Sequence, residues 1–129
     1  MSKKLFAVLL LGSVMMLILV ACSTTSAATS GLSNQVHMNA SNFVQSSITI
    51  KKGESITLIN DNPFVAHTIA NGTWENGAAK VVREAGAPPI NDVQIGGSSS
   101  ATVGPFTTAG TFKLYCTVHA DMNLTVVVE

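Results

Sequence analysis

From residue 34 onward, apolar and polar residues alternate with a period of two, repeatedly and over short distances. In "QVHMNA" Val36, Met38 and Ala40 fall in one phase, and His37 falls in the other. "SSITIKKGESITLIN" reads as two strands joined at Lys52-Gly53-Glu54, with Ile48 and Ile50 on one face of the first and Ile56 and Leu58 on one face of the second. "HTIA" sets His67 in phase with Ile69. "SATVGPF" and "TFKLYC" read as a strand pair around the turn "TTAG", and "LTVVV" closes the chain with Leu124, Val126 and Val128 in phase. Successive side chains of a strand point to opposite faces, so each of these segments has one face fit for a core. No segment sustains helical periodicity. Residues 71–92, rich in Gly, Ala, Asn and Pro, read as a long irregular excursion. Many short strands separated by turn signals predict an all-β sandwich or barrel.

The N-terminus follows different rules. "MSKKLFAVLLLGSVMMLILVAC" carries Lys3 and Lys4, then an apolar run from Leu5 to Ala21, then Cys22. That is the pattern of an export signal, and the run is short for a permanent membrane span. Leu19-Val20-Ala21-Cys22 resembles the lipobox of bacterial lipoproteins, in which the cysteine is lipidated and becomes the first residue of the mature chain. The expected organisation is therefore a lipoprotein signal peptide at 1–21, a lipidated Cys22 with a flexible small-residue linker to 33, and one folded domain at 34–129. The expected location is extracytoplasmic, tethered by lipid to a bacterial cell membrane.

Charge narrows the function classes. The 129-residue chain has seven basic and seven acidic residues; removing Lys3 and Lys4 with the signal leaves five against seven, a net charge of −2. No basic patch remains for nucleic acid. No nucleophile stands beside a base, no carboxylates are paired, and no phosphate-binding loop is present, so an enzyme is not expected.

The candidate chemistry lies in "TFKLYCTVHADMNLTVVVE", residues 111–129. Only two cysteines occur in the chain. With Cys22 lipidated, Cys116 has no disulfide partner in an oxidising compartment, where a bare thiol is a liability unless it is buried or metal-bound. Lys113 cannot face a core, so Phe112 and Leu114 must, and Cys116 shares their phase. His119 and Met122 follow in the next loop, which lets the three side chains converge at one strand end. A lone buried cysteine is ordinarily a small core hydrophobe; with a histidine and a methionine in the adjoining loop, the metal reading gains. Thiolate, two imidazoles and a weak thioether suit one copper ion cycling between +1 and +2. The second imidazole must come from upstream. His67 is in phase with Ile69 after the loop "NDNPFVA", whereas His37 should face solvent, so His67 is chosen.

At these residues the chain resembles the cupredoxins across about 34–129. The resemblance rests on "NFVQSSITIKKGESITLIND", on the histidine of "FVAHTI" and on "GPFTTAGTFKLYCTVHADMNLTVVV". The Cys-x2-His-x2-Met spacing is similar to that of amicyanin. The resemblance implies an all-β Greek-key β-sandwich of about 7–8 strands and a type 1 copper centre at one end, with His67, Cys116, His119 and Met122 as ligands and electron transfer through the ring edge of His119. Pro63, Phe64, Val65 and Ala120 would form an apolar rim for transient protein redox partners. Ala120 departs from the proline often found after the second histidine, and Thr68 from the asparagine that several relatives carry after the first. Asp121 is read as a solvated loop carboxylate, Tyr115 as surface packing facing away from the metal, and Trp74 has no assigned role. A monomer is expected. The alternatives are a copper-binding module for storage or delivery to an oxidase, and a metal-free structural sandwich.

Overall fold

The computed structural model describes residues 34–129. The signal peptide, the lipidated Cys22 and the linker expected at 1–33 lie outside the described residues. Among the described residues there is no helix and there are ten strands, more than the seven or eight expected. One sheet contains β1 (Gln35–Met38), β3 (Ile56–Asn60) and β8 (Ser100–Val103), in the order β1-β3-β8. The second contains β2 (Ser47–Ile50), β10 (Asn123–Val128), β9 (Gly110–Cys116), β4 (His67–Asn71) and β7 (Val93–Ile95), in the order β2-β10-β9-β4-β7. A small third sheet pairs β5 (Thr73–Glu75) with β6 (Ala78–Lys80).

The two larger sheets bury their inner faces against each other, forming a Greek-key β-sandwich around a single core. Val36, Met38, Ile56, Leu58 and Val103 supply one side, and Ile50, Ile69, Phe112, Leu114, Leu124, Val126 and Val128 the other. Register keeps the phases aligned: Leu114 lies opposite Leu124, Phe112 opposite Val126, and Cys116 opposite Ile69. Such pairing matters because a one-residue slip would turn every apolar side chain of a strand to solvent.

Four expectations need correction. β8 and β9 are not a pair: β8 pairs with β3, while β9 pairs with β10 and β4. The segment between them crosses from one sheet to the other, because Phe106 is fully buried and its backbone bonds to the Glu54 carbonyl and the Gly53 amide instead of turning back. β1 ends at Met38, so Ala40 is exposed and lies outside the phase of Val36 and Met38. The excursion at 71–92 contains the β5–β6 hairpin, closed by Asn76 and Gly77, both at positive φ (51° and 74°). That geometry is the two-residue turn that an Asn-Gly pair favours. Finally, Tyr115 is buried at 3% exposure, covered by the segment that leads into this hairpin. Its ring meets Trp74 edge-on at 6.2 Å, and a Cβ at Gly72 would collide with that ring.

Candidate metal centre

His67 opens β4 and is held in place before its ring is considered. Asn60, the last residue of β3, is buried and donates its side-chain amide to the carbonyls of Val65 (2.7 Å) and Gly96 (3.0 Å). Its side-chain oxygen accepts the Asn62 amide, and Asn62 in turn accepts the amides of Phe64 and Val65 at 2.9 Å each. These side-chain-to-backbone bonds build the 61–66 turn that a strand ladder cannot supply. The turn is packed so closely that Gly97 has no room for a Cβ against the Pro63 carbonyl. The turn thrusts Phe64 into solvent, 92% exposed, and delivers His67 to the interior.

Within the site, His67 is fully buried. Its Nε2 lies 2.9 Å from the Asn39 carbonyl, which can only accept, so Nε2 carries the proton and Nδ1 keeps its lone pair. Burial pushes the His67 pKa below the ordinary imidazole value; the bond to Asn39 opposes this, and nearby His119 adds to it. The ring is therefore neutral, the state a metal ligand needs.

Cys116 ends β9, fully buried as alternation with Phe112 and Leu114 predicts. The loop after it is short and closes on itself. The Cys116 amide donates to the Met122 carbonyl (3.0 Å), the Met122 amide to the His119 carbonyl (3.4 Å), and the Thr117 amide to the Thr68 carbonyl (2.8 Å). Asp121 takes a left-handed conformation, φ 61°, to make the turn. Cys116 Sγ lies 3.3 Å from His119 Nδ1 and 3.7 Å from His67 Nδ1. The two imidazole rings are 4.8 Å apart, centre to centre.

Three of the four expected donor residues thus converge: one donor atom each from His67, Cys116 and His119 lies within 4.8 Å of the others. Met122, the fourth, is fully buried in the same core cluster as Cys116. His37 stands apart at the surface, with Nδ1 2.9 Å from Asp61 Oδ2. Asp121 is exposed. Thiolate with two imidazole nitrogens is the donor set that suits copper in both oxidation states, so the residues fit that ion. Sequence reasoning gave Trp74 no role; its indole Nε1 donates to the Cys116 carbonyl at 2.8 Å. The Asn76-Gly77 pair is the local signal for the hairpin whose first strand, Thr73–Glu75, carries this residue.

The profile of copper binding proteins of the plastocyanin/azurin family matches residues 30–129. No curated protein sequence matches the chain. Among solved structures, amicyanin from Paracoccus versutus superposes with a TM-score of 0.57 at 20% identity, over 77% of this chain and 83% of that one. An oxidised proline-to-glycine variant of amicyanin gives 0.56 at 22% identity, over 80% and 88%. A purple cupredoxin from Nitrosopumilus maritimus gives 0.53 at 19% identity, over 74% and 98%.

Proposed function

The chain belongs to the plastocyanin/azurin family of copper binding proteins, and on that premise we propose that it carries single electrons through one type 1 copper ion held by His67, Cys116, His119 and Met122. The observation that carries this reading is the convergence of the three strong donor atoms of His67, Cys116 and His119 within 4.8 Å. Copper bound among them supplies a couple between +1 and +2.

The chain's own residues do the rest. His67 presents a neutral Nδ1 because Asn39 holds its other nitrogen. Cys116 and Met122 are sealed from solvent, so their donor groups need not shed water when charge changes. The sheet around β4 and β9 fixes His67 and Cys116 in both states, and preorganised ligands keep the rearrangement per electron small. His119 is half-buried beside exposed Val118 and Ala120, and exposed Pro63 and Phe64 lie on the loop leading to His67. This apolar rim suits brief docking of redox partners across the His119 ring edge, since small interfaces release quickly. Lipidation of Cys22 would tether the carrier outside the cytoplasm beside membrane redox complexes; a lipid with more than one chain is required for a stable anchor.

The visible and EPR spectra of copper-loaded protein test the reading. An intense thiolate-to-copper band is expected, and Cys116→Ala should abolish it. Copper held only as Cu(I), or Cu(II) without that band, would replace electron transfer with storage or delivery.

A further inference from the structure

The ligand loop leaves one backbone group in difficulty. Where β9 and β10 part, Cys116 gives its amide proton to the Met122 carbonyl. The Met122 amide should return the bond, but the tight turn draws it to the His119 carbonyl instead. The Cys116 carbonyl therefore lacks its ladder partner, and a backbone acceptor left unpaired at a buried residue is costly. Trp74 fills the vacancy from outside the sandwich, donating Nε1 at 2.8 Å across 42 residues of sequence.

Trp74 is itself gripped from the other end of the loop. Asn123, the residue after Met122, accepts the Trp74 amide on Oδ1 (2.7 Å) and donates Nδ2 to the Trp74 carbonyl (3.0 Å). One side-chain amide thus satisfies both backbone groups of Trp74, as a neighbouring strand would. The Thr73 hydroxyl adds a further bond to Asn123 Oδ1 at 3.3 Å. Beneath them Tyr115, the cross-strand partner of Asn123, supports the indole edge-on.

Both stems of the loop are consequently tied to a single residue of β5. We infer that Trp74 and Asn123 form a clamp that positions Cys116 and closes the ligand loop before any metal arrives. Neither residue meets the proposed donor atoms; both are positioning residues, acting through the Cys116 carbonyl and the start of β10. The inference rests on the reading of Cys116 as a copper ligand only for its functional consequence, since the clamp itself is a property of the metal-free chain.

Trp74→Phe keeps the ring and removes the N–H; Asn123→Ser keeps a small polar residue and releases the Trp74 backbone. In metal-free protein, amide hydrogen exchange at 116–123 should quicken about fivefold to tenfold in either variant, the factor one neutral hydrogen bond supplies. Amides of β1 and β3 should not change. The double variant should add little to Trp74→Phe, because the two residues work as one unit. In copper-loaded protein each variant should shift the thiolate-to-copper band. Loop exchange within twofold of the parent, or acceleration spread evenly over all strands, would overturn the clamp and leave Trp74 as packing. A parent protein with no thiolate band would defeat the copper reading while the exchange result still decided the clamp.

Discussion

Two imidazoles approach the same sulfur from opposite kinds of scaffold. His67 opens a strand flanked by β7 and β9, is shut off from solvent and is bonded through Nε2 to Asn39. His119 belongs to no strand, is half-buried and stands between exposed Val118 and Ala120. The difference teaches how labour is divided in this site. The sandwich core, which is needed for folding anyway, places one imidazole and the thiol. A seven-residue segment, Cys116 to Met122, places the other imidazole and can vary without disturbing the core.

Replacing each histidine by alanine in the metal-free protein tests this division most severely. His67→Ala removes a ring from a packed interior and orphans the Asn39 carbonyl, so unfolding by urea should become easier by about 2–4 kcal/mol. His119→Ala removes a half-exposed loop side chain and should stay within about 0.5–1 kcal/mol. Both should lose the copper spectrum of the parent. Equal destabilisation would break the comparison, since the loop would then be as much part of the folding core as β4.

Acid sharpens the same contrast. Burial lowers the His67 pKa in the folded, metal-free chain, whereas the unfolded chain titrates near the ordinary value of about 6.5. Above that pH the ring is neutral in both states and the full stability is present. As pH falls below it, the unfolded state takes a proton that folded His67 refuses, so stability declines until the lowered folded pKa is passed. The urea midpoint of metal-free protein should drop between pH 7.5 and pH 5, and His67→Gln should flatten that part of the curve. Glu54 and Glu75 act in a separate window. Glu54 is held low by the Lys51 amide and then by Asn34, and Glu75 by its bond from Lys80. Stability from these carboxylates is lost only as pH falls below the ordinary carboxyl value of 4.5. A midpoint that falls equally in His67→Gln would assign the acid sensitivity elsewhere.

The parts of the molecule that alternate strictly were legible in sequence, and those that depend on long-range order were not. Lys113 fixed the phase of β9, and from it the burial of Phe112, Leu114 and Cys116 followed without any knowledge of partners. The choice of His67 over His37 used the same rule. Strand pairing was different. "SATVGPF" and "TFKLYC" look like a hairpin because they are close in sequence, but in a sandwich the burial of Phe106 rewards crossing to the other sheet. Tyr115 was misread for a related reason: alternation says which way a side chain points, not what later covers it. Its cover, the segment holding Trp74, carries little apolar patterning in "TWENGAAK". The Asn76-Gly77 pair is its one local signal, hidden in an excursion whose composition reads as irregular, and the bond from Trp74 to Cys116 joins residues that no local rule connects.

The smallest expected effect lies in the loop itself, at Asp121. Its φ of 61° is a conformation that costs most L-residues about 1–2 kcal/mol, less for asparagine and aspartate, whose short polar side chains can bond locally. Asp121→Asn should therefore leave stability almost unchanged while removing a negative charge close to the proposed ligands. Any shift in reduction potential would then report charge alone, should be upward, and should shrink as salt screens an exposed site. Asp121→Ala removes the same charge but loses the left-handed preference, so it should cost about 1 kcal/mol and loosen the turn between His119 and Met122. If the two variants shift the potential equally, Asp121 tunes the site by charge, and the loop conformation is set by its closing hydrogen bonds. If only alanine shifts it, the left-handed turn is what holds His119 in place, and the adaptable half of the site is stiffer than its exposure implies.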